Sequence, residues 1–554
     1  MRTRRQHERR DRVDFQLSAV GVSRLRARVT GPRRGDLVAG LTVALVLIPQ
    51  SLAYAEIAGT PPVNGLYTAA VATVAGGLVG SSPYLQTGPV ALTSLLTFGA
   101  LAPLTQTGTT LFAAYAALLA LVVGVVRVLL GALRWGVLAY LMSQPVVAAF
   151  TVAAAILILA SQVPGLVDVE TGSDNPFLAA GQALADPGNW DVVGIGVGLG
   201  TIAIIVVGRR LGPRFPGALL STGLGLGLSA TGVIAVTAVG DIPSGLPPLS
   251  VDLPWGTLGS LVLPGIVIAL IGFAEPASIA RRYAAEDRTT WNPDKEFIGQ
   301  GLANIASGMF SGYPAGGSFS RSALNRLSGA STRWSGVITG LVVLAVMPVA
   351  SVLSGLPKAV LSGLVIAAVL SLIQVRPFLE VWRFSRPQFV VGLVTFVATL
   401  VSAPRIERGI VLGVALSLAV HLWRELRIET DSWVDGATLH VRPHGVLYFG
   451  SAPALESEAM ALIASNPDLR GVVVHLDRLG RLDLTGVLVL RSLVDDLRGG
   501  GTRVYVQGTP PQAERLVDTV LGRHHADQQD ATDIREVFGS AINQRQDRPD
   551  AVTT

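Results

Sequence analysis

The sequence predicts an α-helical polytopic membrane protein with a small α/β domain at its C-terminal end, and three observations predict it. Half of the 554 residues are hydrophobic and 15% are charged, with a mean hydropathy of +0.52. That is too apolar for a water-soluble chain of this length. Apolar stretches of roughly 20 residues, enough to cross about 30 Å of hydrocarbon, recur between Leu37 and Trp423. After Trp423 the pattern changes to short strands alternating with helices, as in a small layered α/β unit.

Hydropathy places about fourteen spanning segments, near 37–58, 63–80, 88–103, 110–133, 138–163, 192–208, 214–238, 257–280, 297–311, 318–330, 334–354, 358–374, 387–403 and 408–424. Cytoplasmic loops collect Lys and Arg. Segment 164–191 holds Asp168, Glu170, Asp174, Asp186 and Asp191 and no base, whereas Arg209, Arg210 and Arg214 follow the next segment. These two loops therefore face opposite sides. Arg281, Arg282, Arg376, Arg383 and Arg386 fall on the expected cytoplasmic side; only Arg405 and Arg408 dissent. An even number of spans leaves both termini in the cytoplasm. The first 36 residues carry eleven Arg against Glu8, Asp11, Asp14 and Asp36. Because this basic arm abuts a spanning segment, it reads as a positive-inside tail against anionic lipid and not as a nucleic-acid arm. The apolar stretch behind it leads into further spans, which argues against a cleaved signal.

Two segments differ from ordinary spans. The 88–103 segment opens from Gln86-Thr87-Gly88-Pro89, and 318–330 opens from Gly312-Tyr313-Pro314-Ala315-Gly316-Gly317-Ser318. Both are short, and both take third place in successive groups of seven. This is the pattern of inverted repeats whose broken helices meet at a midplane site, with a pair of kinked structural helices as the alternative.

Ionisable residues inside a bilayer are functional candidates because they are costly there. Glu56 is the only charge from 37 to 126, and Glu275, just before Pro276, is the only one from 253 to 280. Glu56 lies near the end of the first span, where it could simply reach the interface. Arg321 opens the short 318–330 segment beside Ser318, Ser320 and Ser322, where the free N–H groups of a helix start already favour an anion. If the 88–103 helix points its own start at the same place, Gly88 and Val90 add backbone donors. The competing reading makes Arg321 one more positive-inside residue, and charge alone does not separate the two.

Two runs then carry a resemblance: Ile48-Pro49-Gln50-Ser51-Leu52-Ala53-Tyr54-Ala55 and Ala58-Gly59-Thr60-Pro61-Pro62-Val63-Asn64-Gly65-Leu66-Tyr67. Together with Gly272-Phe273-Ala274-Glu275 and Gly317-Ser318-Phe319-Ser320-Arg321-Ser322, they resemble the signature of the SulP sulfate permease family, which includes prestin. The likeness runs from about 32 to 540. It implies two inverted seven-helix repeats of uracil-permease type, divided into a core that moves against a gate. It also implies an anion site between the third and tenth helices, lined by Gln50, Tyr54, Val90, Glu275, Phe319, Ser320 and Arg321, to which the helix-start reading adds Gly88 and Ser318. Tyr54 stands where some relatives have Phe, so its hydroxyl adds a donor. Glu275 is the first candidate for coupling, placed opposite the presumed anion site, and Glu56 is the second. The C-terminal unit is similar to STAS domains. Their Asp-Ser-Ser-Gly turn stands here as Asp483-Leu484-Thr485-Gly486, which leaves Thr485 as a candidate regulatory hydroxyl at a helix start, with structural capping as the alternative.

The expected domains are a basic cytoplasmic arm at 1–36, a transmembrane transport domain at 37–426, a STAS domain at 434–541 and a disordered polar tail at 542–554. The expected activity is secondary active transport of a small inorganic or carboxylate anion (sulfate, bicarbonate, chloride or a dicarboxylate) by alternating access, with H+ or Na+ as a co-ion. A membrane anion sensor signalling through the STAS domain and an uncoupled anion channel are the rival readings. A nucleobase permease would share the fold but would not place Arg between serines. With zero Cys, thiolate metal sites and cysteine nucleophiles are excluded. No Walker motif or metal cluster is present in the sequence, so neither enzymatic activity nor a cofactor is expected. The setting is the plasma or inner cell membrane, with the lipid bilayer and a second copy of the chain, as a homodimer, for partners.

Overall fold

The structure is a computed structural model that describes residues 31–140, 143–212, 215–232, 237–250 and 252–521. Most of the basic arm, Arg214, His524, His525 and the 542–554 tail lie outside the described residues. The chain divides into two compact units, Met1–Ala415 and Leu416–Thr554.

In chain order the helices are α1 (Arg34–Ala58), α2 (Pro62–Val79), α3 (Ala91–Leu101), α4 (Thr110–Ala132), α5 (Gln144–Val167), α6 (Pro176–Ala185), α7 (Val192–Leu211) and α8 (Gly217–Ala230). There follow α9 (Leu258–Glu286), α10 (Pro293–Met309), α11 (Phe319–Leu327), α12 (Trp334–Val346), α13 (Lys358–Val369), α14 (Val375–Phe384), α15 (Arg386–Val401) and α16 (Glu407–Glu425). Each expected apolar segment falls on one of these, and among the described residues seven helices are long and apolar enough to cross a bilayer by length and composition. Helices α6 and α14 were not foreseen. Each has ten residues, too few to span, and α14 carries Arg376, Glu380 and Arg383.

The helices pack in two sets. Helices α1–α4 pack with α9–α12, whereas α5, α7, α8, α13 and α15 pack mainly among themselves. The first set closes tightly because its contact faces lack side chains. A Cβ at Gly124 of α4 would stand 2.7 Å from the Gly301 carbonyl of α10, and one at Gly301 would stand 2.8 Å from the Gly124 carbonyl. Small residues of this kind let membrane helices approach backbone to backbone.

Two short strands, β1 (Thr87–Gly88) and β2 (Gly316–Gly317), pair antiparallel, with Thr87 opposite Gly317 and Gly88 opposite Gly316. This corrects the expected helix starts. Gly88 and Pro89 remain outside the helix, which begins at Ala91 after Val90, and α11 begins at Phe319 with Ser318 as its N-cap. The ladder sets two helix starts side by side.

The second unit contains a five-stranded sheet. Strands β3 (Glu429–Asp435) and β4 (Thr438–Leu447) are antiparallel; β5 (Gly471–His475), β6 (Leu479–Leu482) and β7 (Arg503–Gln507) join in parallel pairings, in the order β3-β4-β5-β7 with β6 on β4. Helices α17 (Ala452–Ala464), α18 (Leu484–Gly499) and α19 (Glu514–Leu521) accompany it. Leu439, Val441, Val472, Val474, Leu490 and Val504 belong to one buried cluster. Strand β3 begins ahead of the expected domain start at 434. Strand β4 runs through Gly445, which takes φ +102° and shifts the register with β6 without breaking the ladder.

Candidate anion site

The start of α11 is built from four residues in sequence. Ser318 donates its N–H to the Gln86 carbonyl at 3.1 Å. Its Oγ accepts the Arg321 N–H at 3.4 Å and lies 3.3 Å from Ser320 Oγ. The Phe319 N–H donates to Glu275 Oε1 at 3.2 Å. Ser320 therefore holds the one first-turn N–H of α11 without a partner among the described residues, and its side chain is exposed. A helix N-terminus with an uncommitted N–H attracts an anion through that group and through the helix dipole.

Arg321 is 1% exposed. Its Nη2 donates to the Pro89 carbonyl at 2.8 Å, two residues before α3, and its Nε and Nη1 have no hydrogen-bond partner among the described residues. A buried guanidinium with two unsatisfied nitrogens is expensive unless a negative group meets it. The ionisable groups within its electrostatic reach are Tyr54, Glu275 and Tyr313. Gly88 lies against it too: a Cβ there would be 3.5 Å from Nη2 and 3.1 Å from Thr73 Oγ1. The φ of +153° at Gly88 is one that a side chain disfavours. Val90, 6% exposed, is the N-cap of α3 and packs where a Cβ on Gly316 would come within 3.0 Å. On α1, Gln50 lies one turn before Tyr54 on the same face, and its buried Oε1 has no partner among the described residues.

The structure thus brings Tyr54, Gly88, Val90, Ser318, Phe319, Ser320, Arg321 and Glu275 around the paired helix starts. The Glu275 carboxylate accepts the Phe319 N–H and so caps the start of α11 directly. A cavity of about 220 Å³ opens beside it, lined by Glu275 and Phe319 together with Leu92, Phe150, Thr151 and Ile410. Glu56 is elsewhere. It lies in the last turn of α1, and its charged neighbour is Lys358 at the start of α13. Thr485 belongs to the second unit, is exposed, and does not cap α18; Asp483 does, accepting the Gly486 N–H at 2.7 Å.

Three residues near the site were not singled out from sequence. Arg127, the lone charge of α4, is fully buried. It donates to the carbonyls of Ala269 (3.1 Å), Ile268 (3.3 Å) and Ala315 (3.0 Å), tying α9 to the residue before β2. Asn304 also holds Ala315, through both its N–H and its carbonyl. Tyr313 is 0% exposed. The signal for Arg127 was present as a single Arg within an apolar span.

Residues 34–395 match the sulfate permease family, and residues 431–521 match the STAS domain. A probable sulfate transporter of Mycobacterium tuberculosis is 34% identical over 517 residues, covering 86% of this chain and 90% of its own length. A sodium-independent sulfate anion transporter of Bos taurus is 29% identical over 512 residues, with 85% and 83% covered. Among solved structures, the murine Solute Carrier 26 family member A9 anion transporter in the inward-facing state matches with a TM-score of 0.81 over 93% of this chain and 91% of that one, at 19% identity, a likeness of fold. The apolar helices, the paired helix starts and the C-terminal sheet agree with these matches: this chain belongs to the sulfate permease family of anion transporters and carries a C-terminal STAS domain.

Proposed function

We propose that this chain is a secondary active transporter that carries a small anion by alternating access, with a sulfate-type oxyanion as the first substrate to test. The observation that supports this most is Arg321, buried at the paired starts of α3 and α11 with Nε and Nη1 unsatisfied. An oxyanion there accepts from these two nitrogens and from the Ser320 N–H and hydroxyl. Such charge-assisted contacts are worth about 1.5–3 kcal/mol each. The relatives in Mycobacterium tuberculosis and cattle are named for sulfate, which supports testing it before bicarbonate, chloride and dicarboxylates. Gln50, Tyr54, Gly88, Val90 and Phe319 complete the lining. In this reading α1–α4 with α9–α12, the first four spans of each inverted seven-helix repeat, form the moving core, and the other set forms the gate. Both termini lie in the cytoplasm of a cell whose plasma or inner membrane holds the protein. The STAS domain, with β3 as part of it, serves pairing of two copies and regulation, with Thr485 as an accessible hydroxyl.

Glu275 is the coupling group in this proposal. Its carboxylate competes with a substrate anion for the start of α11, and protonation removes the repulsion, so one proton enters with the anion. The bovine relative is named sodium-independent, which favours H+ over Na+. Glu275→Gln keeps an oxygen that can accept from Phe319. Proteoliposomes of this variant are expected to exchange anion normally and to lose accumulation driven by a pH gradient. Full pH-driven accumulation would transfer the role to another group, and Glu56, beside Lys358, is the next carboxylate to test. The broader proposal is tested by uptake of labelled sulfate, bicarbonate, chloride and succinate into proteoliposomes under imposed pH and sodium gradients. Uptake above the level of equilibration supports a coupled transporter. Current that persists without any gradient of co-ion indicates a channel, and binding without flux indicates a sensor.

A further inference from the structure

A second cavity, of about 950 Å³, lies at the other end of the same helix set, between the end of α2 and the starts of α10 and α12. Its wall includes Lys295, one of only two lysines in the chain, and Arg333, but no carboxylate. Arg333 is fixed in place: its Nη1 donates to the carbonyls of Gly80 (2.7 Å) and Leu78 (3.2 Å), which leaves Nε and Nη2 for a ligand. Lys295 is exposed, and its ammonium makes no ion pair or hydrogen bond among the described residues. Ser81, Thr290 and Thr332 contribute hydroxyls, and Leu78, Val79, Ile298, Trp334 and Val337 contribute an apolar side.

Two carboxylates nearby do not oppose an anion directly. Asp36 and Glu296 are both 0% exposed. Asp36 is committed to Ser331 N–H (2.7 Å) and to Thr332 N–H (2.9 Å) and hydroxyl (2.6 Å). Glu296 accepts from Ser81 N–H (3.0 Å), Ser81 hydroxyl and Ser82 N–H (3.2 Å). They fix the loops that shape the cavity and remain behind its wall. Arg33 and Arg34 stand at the start of α1 and Arg281, Arg282 and Arg288 at the end of α9, where Glu286 and Asp287 pair with Arg282 and Arg326. The remaining excess of base is the charge expected of the cytoplasmic face, where the leaflet is anionic.

We propose that this cavity binds the phosphate-bearing headgroup of an anionic glycerophospholipid. Lys295 and Arg333 meet the phosphate. The Thr290 hydroxyl and the lone pairs of the Ser81 and Thr332 hydroxyls, whose protons go to Glu296 and Asp36, meet the headgroup, and the apolar side meets the glycerol and first acyl carbons. A volume of about 950 Å³ is far larger than inorganic phosphate requires and falls in the range of sites for larger small molecules. The bound lipid would join the ends of α2, α10 and α12, three helices of the set that carries the anion site.

The test is calorimetric titration of the full chain, in a neutral detergent, with dioctanoyl phosphatidylglycerol, dioctanoyl phosphatidylcholine and inorganic phosphate. Saturable binding of phosphatidylglycerol is expected, roughly tenfold or more tighter than phosphatidylcholine and than inorganic phosphate. Lys295→Gln changes an exposed side chain, so it preserves the fold, and is expected to weaken phosphatidylglycerol roughly tenfold; Arg333→Gln is expected to do at least as much. Equal affinity for the two lipids overturns the proposal, as does unchanged affinity in Lys295→Gln. If inorganic phosphate binds as tightly as phosphatidylglycerol with the same Lys295 dependence, the lipid assignment is overturned in favour of a free phosphate. Loss of binding in Arg321→Ala but not in Lys295→Gln would place the probe in the transport site and overturn it as well.

Discussion

Helix α3 leaves β1 through Pro89 and Val90, helix α11 leaves β2 through Ser318, and one two-residue ladder holds both starts together. The backbone plan is shared, but the chemistry is not. Helix α3 reads Ala-Leu-Thr-Ser-Leu-Leu-Thr-Phe-Gly-Ala-Leu and brings no charge, whereas α11 reads Phe-Ser-Arg-Ser-Ala-Leu-Asn-Arg-Leu. The carbonyl of Pro89, on the α3 side, holds one nitrogen of Arg321 in position, and the α11 side supplies the cation, the hydroxyls and the capping carboxylate from α9. In the proposed site the two half-helices divide the work: one fixes geometry, and the other recognises charge.

The largest expected effect follows from the charge-bearing side. Arg321→Ala should weaken anion binding by roughly 10- to 150-fold, the equivalent of about 1.5–3 kcal/mol. Arg326, on the same helix, is spent on Asp287 (2.7 Å) and Glu286 (3.3 Å), so Arg326→Ala should leave affinity within a few-fold. Equal affinities in the two variants, measured by titration of the purified protein, would remove the division of roles. On the geometry-fixing side, Gly88→Ala keeps every charge but forces a side chain onto φ +153° and toward Arg321. Strain of about 1–3 kcal/mol would be partly relieved by movement of β1, so a loss of affinity of roughly five- to tenfold is expected. Wild-type affinity in this variant would show that the α3 side does not position Arg321.

Much of this was legible in the sequence because it is local. Hydropathy located the spans, and the Gly/Pro runs at 86–89 and 312–317 located the broken starts. Contacts between distant residues were not legible. Glu275 meets Phe319 across 44 positions, Arg127 finds its three carbonyls on other elements, and Glu56 has Lys358 for its charged neighbour. Periodicity also failed where a strand is polar or short. Strand β3 is nearly all exposed, and β6 has four residues including Gly480. The Pro443-His444-Gly445 run has the composition of a turn yet stays within β4.

The smallest effect contrasts the membrane unit with the STAS unit. His440 Nδ1 and His475 Nε2 lie 3.0 Å apart, and His475 Nδ1 lies 2.9 Å from Gln507 Nε2. Trp433 stacks on both rings. Burial, followed by the charges of Arg442 and His440, pushes His475 down to about 4 from an ordinary 6.5. Burial lowers His440 as well. The unfolded chain therefore binds a proton more readily than the folded one, so this contribution to stability is complete above about pH 6.5 and is lost as pH falls toward 4. Hydrogen exchange of β5 in the full chain should show less protection at about pH 5 than at about pH 7.5, after correction for intrinsic rates. His475→Gln should flatten that difference; an unchanged difference would assign it to other groups.

The central claim is that one small anion sits between the two helix starts beside Arg321. Anomalous diffraction from crystals soaked in selenate or bromide, whichever competes with the transported anion, tests it directly. The account predicts a peak within hydrogen-bonding distance of Arg321 Nε or Nη1 and of the Ser320 N–H, and no such peak in Arg321→Ala crystals. An occupied site elsewhere in the membrane unit, with none beside Arg321 at saturating anion, would contradict it.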